Sequence, residues 1–190
     1  MLKNVFIFSI VLALTVSLVD SAEAAKSPFK NIDRIADSLN LATYAQSQSV
    51  KTVKIAILDN GFKGYKAQVG KTLPKSTVYH AGPVAVDAKS EEVHGLFMAQ
   101  IVTGLLAKTP GIKYELHLFS AFGYSNLDKA VDTLVREKFD LALYAQVWEY
   151  GGNGDGKGFI NAVVNKATSA GVTWINAAGN FGDNTYRAPV

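Results

Sequence analysis

From residue 53 onward the chain alternates between two hydrophobic periods, and this alternation limits its fold more than any other feature. Val53 to Leu58 is a β-rich run that ends in the turn signal Asp59-Asn60-Gly61. A helical pattern opens near His94, with Leu96, Met98, Ile101, Val102, Leu105 and Leu106 as its apolar positions, and Thr109-Pro110-Gly111 stops it. Tyr114 to Ala121 reads as a strand with Leu116 and Leu118 on one face. Leu127, Ala130, Val131, Leu134 and Val135 then recur at helical spacing. Asp140 to Val147 is nearly continuous in apolar character, as expected of a strand covered on both faces. A third helix carries Ile160, Val163, Val164 and Ala167 and is capped by Gly171 in the left-handed conformation; Val172 to Ala177 is the last strand. Residues 62–92 read as loop, and residues 26–49 are polar with a weak helical period at Ile32, Ile35, Leu39 and Leu41. Strands separated by helices predict an α/β chain, a three-layer αβα fold around a mostly parallel sheet. In such sheets the chemistry lies at the carboxyl ends of the strands.

The residues before this pattern have a different character. Lys3 precedes an uncharged stretch from Val5 to Val19, which leads to Ala22-Glu23-Ala24. A basic start, an apolar stretch and an A-x-A site predict a secretory signal peptide over residues 1–24, too short in its apolar part to span a bilayer. Its removal from the 190 residues leaves 166, a length that suits one domain. Residues 25–52 are expected to lead into that domain and residues 53–190 to form its N-terminal part. The expected location is secreted or periplasmic, with membrane contact only through the signal peptide during export. The chain has no cysteine, which excludes a disulfide framework, a thiol nucleophile and a cysteine-held zinc. The net charge is +3, but the bases form neither a run nor a helix face, so nucleic acid is not an expected partner.

Three short motifs fall where the alternation places chemistry. Asp59-Asn60-Gly61 follows a strand, His94-Gly95 opens a helix, and Ala177-Ala178-Gly179-Asn180-Phe181-Gly182 follows another strand. Singly each has a plain structural use: a strand-end carboxylate caps a turn, a His-Gly starts a helix, and Gly179 permits a positive φ. Together and in this order they resemble the subtilisin-like serine protease family, over about Val53 to Gly182. That resemblance implies the subtilisin-like version of the αβα fold and a serine endopeptidase acting on protein or peptide substrates. It further implies that Asp59 orients the imidazole of His94, that His94 is the general base and later the acid, and that the side-chain amide of Asn180 donates to the oxyanion. By the same resemblance Gln146, Val147 and Trp148 line the substrate cleft, where a substrate backbone would pair as an added strand.

The chain also departs from the family pattern. Leu96 and Phe97 stand where the family has Thr and a second His after His-Gly, and Gln100 replaces a small glycine. Gln146-Val147-Trp148 differs from the family's Ser-Leu-Gly. The ten residues after Asn180 contain no serine, so the nucleophile segment is absent from these residues. Fewer than 30 residues separate Ala24 from the first strand, which leaves no room for a folded propeptide. The chain is therefore expected to be a fragment lacking the nucleophile, inactive by itself and poorly packed in isolation. Two alternatives remain: a non-catalytic peptide-binding relative, or a periplasmic small-ligand-binding α/β domain. The latter leaves His94-Gly95 and Asn180 unexplained.

No cofactor is identifiable. The Gly-rich loop Gly151 to Gly158 fits neither the ligand spacing of an EF-hand nor a Walker loop, so calcium has no support. Glu91-Glu92-Val93-His94 lacks the paired histidines of a zincin. His80 and His117 have no metal-ligand companions in the sequence and are expected at the surface or in packing. Trp148 and Trp174 are expected as core or cleft-wall aromatics.

Overall fold

The computed structural model describes residues 27–44, 51–85, 93–109, 111–148 and 155–180. The signal-peptide expectation, Glu91, Glu92, residues 151–154 of the Gly-rich loop and the residues after Asn180 lie outside this range. In chain order the elements are α1 (Ile32–Ser38), α2 (Leu41–Tyr44), β1 (Val53–Asp59), a 3₁₀ turn (Tyr65–Ala67), β2 (Val78–His80), α3 (His94–Leu106), β3 (Tyr114–Ser120), α4 (Tyr124–Arg136), β4 (Leu141–Tyr144), α5 (Phe159–Ser169) and β5 (Thr173–Asn176).

The five strands form one sheet in the order β2-β3-β1-β4-β5, and every pairing is parallel. Alternation along β1 sends its residues to two separate cores. Ile55 and Ile57 join Leu116, Leu118, Leu73, Leu96 and Ala99 on the face covered by α3. Ala56 and Leu58 join Phe119, Leu127, Val131, Leu134 and Val163 on the face covered by α4 and α5. Helices thus cover both faces, and β1 is buried because it lies in the middle. α1 packs outside α3, where Gly104 permits close approach: an added Cβ would sit 2.6 Å from Ser27 Cβ.

The helices on the two faces belong to crossovers of opposite hand. β2-α3-β3 and β3-α4-β4 both advance in the same direction across the sheet, yet α3 and α4 lie on opposite faces. About 98% of parallel crossovers are right-handed. If α4 and α5 follow that rule, the β2-α3-β3 unit is the left-handed exception.

Several sequence expectations need correction. The segment read as loop contains β2 and a 3₁₀ turn. β2 has only three residues, too few to show a period, and exists because Val78 and His80 pair with His117 and Phe119 of β3. The strand expected over Asp140 to Val147 is confined to Leu141–Tyr144, since β1 offers partners only as far as Leu58 opposite Tyr144. Asp140 itself caps the strand start, its carboxylate accepting the Lys54 N–H at 2.9 Å and pairing with Lys51. The buried face of α3 is less apolar than the sequence implies. It consists of Gly95, Leu96, Ala99, Gln100, Thr103 and Gly104, while Met98, Ile101, Val102, Leu105 and Leu106 are only half-buried. Its polar members are stitched to the preceding loop: Gln100 Nε2 donates to Thr72 Oγ1 at 2.8 Å, and Thr103 Oγ1 donates to the Thr72 carbonyl at 2.9 Å. Gly171 does cap α5 in the left-handed region, with φ of 89°. Among the described residues no helix is long and apolar enough to cross a membrane.

Candidate active site

Asp59 ends β1 on the face that α3 covers, because it continues the alternation of Ile55 and Ile57. Its side chain is fully buried. One oxygen, Oδ1, accepts the backbone N–H groups of Asn60 at 2.7 Å and Gly61 at 3.3 Å. The other, Oδ2, lies 2.7 Å from His94 Nδ1. The carboxylate therefore has partners for both oxygens, as a buried charge requires. Burial nevertheless pushes its pKa above the ordinary carboxylate value, against the lowering effect of the His94 hydrogen bond and of the two backbone amides.

His94 is the first residue of α3, and its side chain is 40% exposed. With Nδ1 bound to a buried carboxylate, the ring is fixed in orientation, with Nε2 as the nitrogen outside that contact. Two local features bring this ring to the strand end. The Leu96 N–H, one of the amides left unpaired at a helix start, donates to the Gly61 carbonyl at 2.9 Å. Gly95 lets the helix come close: a Cβ there would lie 2.6 Å from Asp59 Cβ and 2.8 Å from the Phe62 ring. The Asp59-Asn60-Gly61 turn and the His94-Gly95-Leu96 turn thus interlock. A helix on the other face of the sheet would put His94 on the wrong side of Asp59, so the placement of α3 on the face opposite α4 is a condition of this contact.

The other expected site residues share the same edge of the sheet without joining this pair. Asn180 follows β5 by four positions, and its side chain is exposed; Gly179 before it has φ of 91°, as the turn requires. Gln146, Val147 and Trp148 follow β4 and are half-buried. The Gln146 carbonyl accepts from Asn176 Nδ2 at 3.4 Å. Trp148 is anchored inward: its indole N–H donates to Tyr144 Oη at 2.7 Å, and its ring meets Phe159 edge-on at 6.0 Å. Burial in turn pushes the Tyr144 phenol up to about 12.

Three features of this edge were not evident in the sequence. The first is a cleft of about 790 Å³ between the turn at residues 60–67 and the segment at residues 79–85, beginning at Asn60 beside the buried carboxylate. The second is what holds its outer wall. Asn126, buried near the start of α4, accepts the Val84 N–H and donates to the Val84 carbonyl, both at 2.9 Å. Gly82 clears the way for that amide, since a Cβ there would lie 2.4 Å from the Asn126 side chain. The third is a histidine pair: His80 Nε2 lies 2.9 Å from His117 Nδ1, with His80 stacked on Phe119 and His117 against Phe139. Burial lowers both histidine pKa values. The adjacency of β2 and β3 creates this pair, and no local spacing could have announced it. Among the described residues no cluster of three or more His, Asp or Glu could hold a metal ion.

No protein-family model matches the chain, and no curated protein matches it.

Proposed function

We propose that this chain carries the aspartate–histidine half of an exported subtilisin-like serine endopeptidase, with the nucleophilic serine supplied from outside residues 1–190. The observation that carries the proposal is the 2.7 Å contact between the fully buried Asp59 carboxylate and Nδ1 of a partly exposed His94 at the carboxyl edge of the sheet. A buried, hydrogen-bonded carboxylate behind a partly exposed imidazole suits general-base work. His94 Nε2 would take the proton of the serine hydroxyl as it attacks the peptide carbonyl, then return it to the leaving amine. Asp59 would stay ionised and stabilise the imidazolium formed between those steps. Asn180, exposed at the same edge, would donate its side-chain amide to the oxyanion.

The test is labelling of the exported gene product by a serine-directed phosphonate. The expected result is a covalent adduct on a serine encoded beyond Val190, abolished in His94→Ala and in Asp59→Ala. Labelling that persists in His94→Ala would remove the histidine from the mechanism, and a product that takes no label would remove the serine. A second reading, peptide binding without cleavage, draws support from the cleft beside Asn60, which needs no nucleophile to be occupied.

A further inference from the structure

The cleft next to the Asp59–His94 pair has a composition of its own, and no catalytic role has been given to it. One wall is aromatic: Phe62 meets Tyr79 edge-on at 6.1 Å, and Tyr65 stacks on Tyr79 at 4.8 Å. Lys63 and Lys66 also line it, and among the described residues that line it none is acidic. Lys66 is exposed and forms no ion pair among the described residues. At the inner end Asn60 Oδ1 is buried with no hydrogen-bond partner among the described residues, a costly condition for a polar atom. The outer wall is held in place by the two Asn126–Val84 hydrogen bonds, so the space is preformed. Its volume, about 790 Å³, lies within the range of sites that enclose small ligands or side chains.

We propose that this cleft is a specificity pocket for peptide segments in which an aromatic residue stands next to a carboxylate. The aromatic side chain would lie against Tyr65 and Tyr79, and the carboxylate would meet Lys66 at the rim. A cleft lined by charge of one sign concentrates ligands of the opposite sign. The pocket joins the dyad directly, because the Asn60 N–H that opens it is bonded to Asp59 Oδ1 and Phe62 sits against Gly95. The assignment rests on the peptide-hydrolysing reading above, whose substrate class it names.

The experiment is calorimetric titration of the full chain with two acetylated tetrapeptides, Gly-Glu-Phe-Gly and Gly-Lys-Phe-Gly, at low and at high salt. At low salt the glutamate peptide is expected to bind about fivefold more tightly, the upper end for exposed ion pairs, and the preference is expected to vanish at high salt. Lys66→Glu should abolish or reverse the preference, and Lys66→Gln, which removes the charge without adding a new one, should halve it or more. Tyr79→Ala should weaken both peptides by about three- to tenfold, the scale of one aromatic contact. Equal binding of the two peptides, indifference to the Lys66 variants, or no binding of either peptide would overturn the assignment. The protease reading fails separately. Charge-selective binding in a product with no dyad-dependent labelling supports the pocket and removes the protease. Dyad-dependent labelling without charge selectivity removes the pocket and keeps the protease.

Discussion

Replacing Gly95 by alanine should break the site by adding a single methyl group. The new Cβ would lie 2.6 Å from Asp59 Cβ, whereas ordinary carbon contact begins near 3.4 Å. The start of α3 would have to withdraw by about 0.8 Å, which would stretch the Asp59–His94 contact to about 3.5 Å, where a hydrogen bond has effectively been lost. Neither neighbour can yield instead: Asp59 is held by two backbone amides, and the Phe62 ring is buried. Overpacking of this kind costs about 1–3 kcal/mol, and losing a hydrogen bond to a charged group costs about 1.5–3 kcal/mol. Alanine's better helix propensity offsets at most about 1 kcal/mol. The net expectation is a loss of about 3 kcal/mol, or roughly 6–12 °C in Tm for a chain of this size. Urea unfolding followed by fluorescence of Trp148 and Trp174 measures the first effect. The far-downfield imidazole N–H proton resonance of His94 reports the second. An unchanged or higher unfolding midpoint, with that resonance retained, would refute the claim that Gly95 is required by the dyad.

The remaining predictions concern groups around the same edge. Because burial raises the pKa of Asp59, the folded state binds its proton more tightly than the unfolded state does. Its ionisation therefore costs stability as pH rises from the unfolded value through the folded one. Asp59→Asn should accordingly be more stable than the parent at pH 7, with the difference shrinking on acidification; a variant less stable at pH 7 would contradict this. For His80 and His117 the sign is opposite, since burial lowers both values and the unfolded state binds more protons. The groups facing them are Phe119, Phe139, Glu115, Glu137, Arg136 and Lys54. Stability should fall as pH drops below about 6.5, and denaturation at pH 5 and pH 7.5 should show a smaller drop in His117→Phe than in the parent. Asn126→Ala should cost about 1–3 kcal/mol for two lost hydrogen bonds and speed hydrogen exchange at the Val84 amide; unchanged exchange would mean that the wall is held by other contacts.

The Asp59–His94 pair illustrates a conflict between stability and chemistry at one site. A carboxylate taken fully out of water is unfavourable unless its partners are well placed, and here the partners only partly offset the burial. The proposed reaction needs Asp59 ionised whereas its burial favours the neutral form, so a neutral isostere is expected to stabilise the fold while ending the proposed activity.

How far the sequence reaches can be judged element by element. Within each element the hydrophobic period determines which residues point together: Leu116 with Leu118, and Val163 with Ala167, lie on common buried faces as their spacing requires. The parallel sheet follows from the alternation, and Asp59 and His94 stand at a strand end and a helix start where the motifs put them. A period does not say which side of the sheet a helix will take. That choice is made when β2 inserts at the edge beside β3 and α3 returns over the face opposite α4. The three-residue β2, the His80–His117 pair and the Asn126 clamp all depend on the same placement, because each joins residues 37 or more positions apart. Local chemistry determined which groups could form a carboxylate–imidazole pair. Only the face taken by α3, an energetic property of the whole packed sheet, decided that the two would meet.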